Sequence, residues 1–268
     1  MIDLEKAQYK PVGYCIFCGS LENLTREHIM PFGFGGSSTL PKGACKICAC
    51  KTGKMEQDVL RGPFWPVRVF RDIKSRTKHS DAPKEISFRI VRKGKETEIS
   101  MPIDEVPIII QFPIYSDPEY FAPKDSVKGI NIRGSATVCF GEKPEEILRR
   151  LDASSISFTQ SENPTLFPRF IAKIAYCIAF AEGAFSKISE ERPPVVTAIL
   201  GDTDDIGRYV GSIDEGGTSR EGVLHYSSMH EDTQQGLLMS QVQLFADSQS
   251  PRYYVILGSL ISNDSTTT

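Results

Sequence analysis

Apolar positions along the chain follow two periods, and the change from one to the other separates its regions. Residues 46–62, KICACKTGKMEQDVLRG, have the makings of a helix stopped by Gly62 and Pro63. From Ile86 the spacing tightens. ISFRIVRKGKETEISM alternates apolar and polar residues on two arms around Gly94, which predicts a hairpin. VPIIIQFPIY, GINIRG and SATVCF predict further strands. KPEEILRRLDA predicts a short helix, with Pro144 in its first turn, acids early and arginines late. The strongest helical pattern is LFPRFIAKIAYCIAFAEGAF, where Ile171, Ile174, Ala175 and Ile178 recur at helical spacing and would face a core. PVVTAIL, MSQVQLFA and YYVILGSL complete an α+β region.

Composition agrees with a packed interior: 268 residues, 40% hydrophobic and 24% charged, suit one large domain or two smaller ones. The expected organisation is a small cysteine-bearing domain over 1–62, a basic connector over 63–85, a mixed α+β domain over 86–262 and a flexible tail over 263–268. The connector carries Arg68, Arg71, Lys74, Arg76, Lys78 and His79 among aromatic residues. The longest nearly apolar run, IAYCIAFA, is far short of the roughly 20 residues needed to span a bilayer. MIDLEKAQYKPVGY has no basic region followed by an apolar run, so no secretory signal is read there and a cytoplasmic protein is expected.

Charge is uneven. Through Lys95 there are 18 Lys and Arg against 9 Asp and Glu; the remainder has 13 against 25. A basic first third suits contact with a polyanion, although a basic surface without any ligand would look the same.

The seven cysteines are not arranged as a disulfide framework. Cys15 and Cys18 form one Cys-x-x-Cys pair, and Cys45 and Cys48 form another 26 residues on. Four soft thiolates in this spacing suit tetrahedral Zn²⁺, and a site closed by four cysteines is structural. A module this small would depend on the ion to fold. Cys139 and Cys177, in apolar segments, are expected in the core.

Between the pairs lies LTREHIMPFGFGG. The whole pattern, C-x-x-C, LTREHIMP, GG, C-x-x-C and K-x-G-K, resembles the HNH endonuclease superfamily, and more closely its zinc-stapled branch with an E-H-I-x-P core. The likeness covers about Tyr14 to Leu60. LPKGAC and KMEQDVLRGPFWPVR also look like a bacterial group of stand-alone HNH proteins. The resemblance implies two strands and a helix around a catalytic metal, followed here by a larger α+β domain. The implied activity is metal-dependent hydrolysis of phosphodiester bonds, most of all in DNA, with His28 as general base and Glu27 as a ligand of Mg²⁺ or Mn²⁺. Neighbours on a regular strand point to opposite faces, so both serve one site only where the strand is distorted or ends; Pro31, Gly33, Gly35 and Gly36 make an ending there expected.

Two family positions differ. Where an Asn or His would orient the base, this chain offers Ser37, Ser38 and Thr39. The metal ligand expected after the last zinc cysteine is replaced by Ala49, which cannot coordinate. Glu56, two turns along the same helix face, ranks first as a substitute; Thr52 is a weak neutral oxygen and Cys50 too soft for a hard cation. Lys42, Lys46, Lys51, Lys54, Arg68 and Arg71 are the candidate phosphate contacts. The alternative reading is a zinc module that binds nucleic acid without cutting it; a third gives the module a purely structural role beneath a C-terminal sensor or interaction domain. In the leading reading the acidic C-terminal region would serve regulation, partner contact or assembly of a homo-oligomer. His225 and His230 do not form a metal pattern, and GDTDDIG reads as an acidic turn. Trp65 is expected to pack on the zinc module.

Overall fold

The computed structural model describes residues 8–74, 83–123, 125–158, 163–213 and 217–261. Strands β1 (Leu24–His28) and β2 (Thr39–Cys45) pair antiparallel and lead into helix α1 (Lys46–Arg61). Cys45 caps α1, its sulfur accepting from the Cys48 N–H at 3.5 Å, and Gly62 ends the helix by donating to the Asp58 carbonyl at 2.9 Å. Helix α2 (Trp65–Phe70) follows at once, so part of the expected connector is helical.

Strands β3 (Glu85–Arg92) and β4 (Lys95–Pro102) form the expected hairpin. Its turn residues, Lys93 and Gly94, both have positive φ, 51° and 74°, the backbone that matches strand twist in two-residue hairpins. Next come β5 (Ile108–Tyr115), β6 (Ile132–Phe140), helix α3 (Pro144–Arg150) and β7 (Ser155–Ser157), with β5 paired to β6 and β7 to β3. Two helices, α4 (Leu166–Ala181) and α5 (Val195–Leu200), precede β8 (Val210–Ser212), β9 (His225–Asp232), β10 (Leu237–Leu244) and β11 (Arg252–Ser259). These last four strands make an antiparallel sheet in the order β8-β11-β10-β9. Helices with antiparallel sheets make this an α+β structure.

Helix α4 is the centre of the molecule. An apolar pattern around the whole helix requires cover on every side, and α4 packs against α1, α5, β10 and β11. Ile171, Ile174, Ala175 and Ile178 are all in the core, as their spacing requires. Its Phe170, Lys173, Tyr176 and Phe180 meet the N-terminal module. Phe170 packs on Phe34, Tyr176 stacks on Phe17 and donates to the Ile16 carbonyl, and Phe180 meets Tyr14 edge-on. One continuous core therefore runs from Cys15 to Leu257, across the boundary expected at residue 62. Partly buried Trp65 packs against this core.

Two expectations are corrected. GINIRG and SATVCF are not separate strands: Ile132–Phe140 forms one. Cys139 is exposed, because strand alternation buries its neighbours Val138 and Phe140 instead; Cys177 is a core residue as expected. Arg76, Lys78, His79 and the tail 263–268 lie outside the described residues.

Candidate metal centre and buried cation site

The sulfurs of Cys15, Cys18, Cys45 and Cys48 all lie within 4.8 Å of one another. Each pair sits on a tight knuckle. Gly19 N–H closes the first by bonding the Cys15 carbonyl at 2.8 Å; the second is the α1 cap. Two backbone bonds tie the knuckles together: Ile16 N–H donates to the Gly43 carbonyl of β2 at 2.8 Å, and Lys46 N–H, at the start of α1, donates to the Asn23 carbonyl just before β1 at 3.1 Å. Cys18 and Cys45 sulfurs are 3.6 Å apart, close to the edge of a tetrahedron with metal–sulfur bonds of about 2.3 Å. Burial acts to raise the Cys45 thiol, yet the Cys48 N–H and the neighbouring side chains bring it down to about 7. Burial holds Cys18 and Cys48 above the ordinary thiol value. The donor set fits Zn²⁺, which would hold all four as thiolates and clamp the two knuckles. Exposed Cys50 is not in the cluster.

Between the knuckles, β1 loses register with β2 between Thr25 and Glu27 and stops at His28, which pairs with Thr39. Beyond it Pro31–Gly36 turns tightly, and a Cβ on Gly36 would come within 2.2 Å of the Met30 carbonyl oxygen, so only glycine fits. Buried Ser38 accepts through its carbonyl from Ile29 N–H at 3.2 Å. The distorted, terminating strand expected for Glu27 and His28 is thus present: Glu27 is buried and His28 half-buried.

Glu56 reaches back from α1 to the neighbourhood of Glu27, but the point on which the two carboxylates converge is filled by a lysine. Lys173 Nζ lies 2.7 Å from Glu27 Oε1 and 2.7 Å from Glu56 Oε1, and it donates to the His28 carbonyl. Sequence reasoning missed Lys173. Its signal was a lone lysine at the middle of an apolar helix, a residue type almost never fully buried unless paired. Burial acts to lower the Lys173 ammonium, but Glu27 and Glu56 outweigh it and hold the group above its ordinary value, so it stays charged. Burial raises the Glu27 carboxyl against the pull of Lys173, and Glu56 adds to the rise. A divalent ion does not fit between Glu27 and Glu56 with Lys173 in place. Thr52 is no substitute ligand: its hydroxyl donates to the Cys48 carbonyl at 3.2 Å.

The candidate phosphate contacts divide in two. Lys42 and Lys46 are exposed beside the module. The others have partners within the chain: Lys51 pairs with Asp202 and Lys54 with Asp58. Arg68 donates to the Gly33 carbonyl at 2.5 Å and the Leu60 carbonyl at 2.8 Å. Arg71 meets Asp247 at 2.6 Å with its guanidinium 4.8 Å from the Phe140 ring centre. Asp202, in the acidic turn, is therefore a partner of α1. His225 and His230 serve no common site: His225 is within 2.7 Å of the Phe34 carbonyl oxygen, and exposed His230 bonds Ser228 at 2.9 Å.

Comparison with known proteins identifies no relative: no family model matches the chain, and neither a curated protein nor a solved structure does. Among the described residues no helix is long and apolar enough to cross a membrane.

Proposed function

We propose that this chain is a zinc-clamped ββα protein of the HNH kind that binds nucleic acid, DNA foremost, without metal-dependent cleavage. The observation that carries this reading is Lys173. Hydrolysis of the kind implied by the resemblance needs a divalent cation beside His28 to offset charge on the phosphate. Here both candidate ligands, Glu27 and Glu56, are engaged by an ammonium with no exposed surface. Contact with the polyanion would fall to exposed Lys42 and Lys46 of the zinc-clamped module, through sequence-independent attraction to phosphate. The test is a pair of assays on the zinc-loaded chain: gel shift across a salt series, and plasmid nicking with Mg²⁺ or Mn²⁺. Salt-sensitive binding without nicking is the expected result, and binding that ignores salt, or its absence, overturns it.

Hydrolysis is the second reading, favoured by the placement of His28 at a broken strand end between the zinc knuckles. There His28 would take a proton from the attacking water. Nicking by the wild-type chain that is lost in His28→Ala, with zinc retained, would put this reading first.

A further inference from the structure

Glu27 and Lys173 are the only charged side chains fully buried among the described residues, and they pair with each other. Glu56 joins them with its side chain 17% exposed. The three oxygens around the ammonium, two from carboxylates and one from the His28 carbonyl, are the hard donors that Mg²⁺, Mn²⁺ or Ca²⁺ would choose. The fit to an ammonium is incomplete. Glu56 Oε1 is buried and lies 2.7 Å from Nζ, yet makes no hydrogen bond. Two carboxyl groups share a single ammonium in this pocket.

We propose that Lys173 is the built-in cation of this module: from helix α4 it takes the place between Glu27, Glu56 and the His28 carbonyl that a divalent ion would occupy, and so makes that position, apart from the zinc cluster, refractory to a hard divalent ion. The C-terminal region is then part of the site, supplying the charge that the two N-terminal carboxylates need in order to be buried. An unpaired buried carboxylate is costly, so the two acids and the lysine stand or fall together. The assignment deepens the non-cleaving reading above by explaining it, and it does not depend on nucleic acid being the ligand.

The experiment is a titration of the full, zinc-loaded chain with Mn²⁺, following loss of the free-ion signal by electron paramagnetic resonance. Wild type should give no Mn²⁺ binding that Glu27→Gln removes. Lys173→Ala should bind Mn²⁺ at least about tenfold more tightly than wild type, and Lys173→Ala with Glu27→Gln should lose that gain. Should Lys173→Ala be unfolded alone, millimolar Mn²⁺ should restore its helical circular dichroism. Glu27-dependent binding by wild type overturns the proposal. So does a folded Lys173→Ala chain with no gain in affinity, or an unfolded one that Mn²⁺ does not rescue. Failure of the gel-shift assay alone would sink the nucleic-acid reading and leave Lys173 in its role.

Discussion

Lys173 on α4 places its ammonium 2.7 Å from the carboxylate of Glu27 on β1, and both side chains are buried. Removing one member of a buried ion pair leaves an uncompensated charge, whereas neutralising all members together avoids that cost. Lys173→Met should therefore lower unfolding free energy by about 3–5 kcal/mol. Adding Glu27→Gln and Glu56→Gln to it should recover most of the loss. Urea unfolding of the zinc-loaded chains checks this; a Lys173→Met chain as stable as wild type would show that the triad contributes nothing to holding α4 on the module.

The four clustered sulfurs make a separate prediction. Purified chain should carry one zinc per molecule, released by a thiol-modifying mercurial with loss of module structure. Cys18→Ala or Cys48→Ala should reduce zinc content, while Cys50→Ala and Cys139→Ala should leave it unchanged, because those thiols lie outside the cluster. Metal analysis of the five proteins distinguishes the cases. Zinc retained in full by Cys48→Ala would mean another ligand set.

Much of this architecture is legible locally, because period and punctuation are local properties. Gly62 stops α1, Lys93–Gly94 turns the hairpin, and the Ile171, Ile174 and Ile178 spacing marks the buried helix. The zinc cluster is legible for the same reason: two knuckles with fixed spacing need only be brought together once. What a charged side chain meets across the fold has no such signature. Lys173 looks like an intruder in an apolar helix until Glu27 and Glu56 are seen around it. Arg68 and Arg71 look like a solvated basic stretch until the Gly33 and Leu60 carbonyls and Asp247 take them up.

His225 carries a pH dependence. Its ring packs against Phe34 and Phe245, the Phe245 N–H donates to Nδ1 at 3.2 Å, and Nε2 lies 2.7 Å from the Phe34 carbonyl oxygen. The neutral ring with its proton on Nε2 satisfies both bonds. Burial lowers its pKa from 6.5 to about 4. The unfolded chain binds this proton first as pH falls, so the contribution is fully present above about 6.5 and drains away towards pH 4. Roughly 3 kcal/mol is at stake. Urea midpoints at pH 7 and pH 4.5 should fall more steeply for wild type than for His225→Gln, and equal slopes would show that His225 is not the source.

Charges that face solvent and charges that hold the fold should respond differently to substitution. Lys42 and Lys46 are exposed, so their replacement by Ala should leave stability within about 0.5 kcal/mol of wild type. Each should weaken nucleic-acid binding and reduce the salt slope by about 1 for every phosphate no longer neutralised. Arg68→Ala should do the reverse. Its guanidinium ties the Gly33 turn to the end of α1, and its removal leaves the Gly33 and Leu60 carbonyls without that donor, at a cost of about 1–3 kcal/mol. Because β1 ends just before that turn, the substitution should loosen the His28 segment and the pocket around Lys173 together. Thermal melts beside salt-dependent gel shifts read both effects. An Arg68→Ala chain that keeps its melting temperature but loses salt-dependent affinity would place this arginine on the binding surface instead.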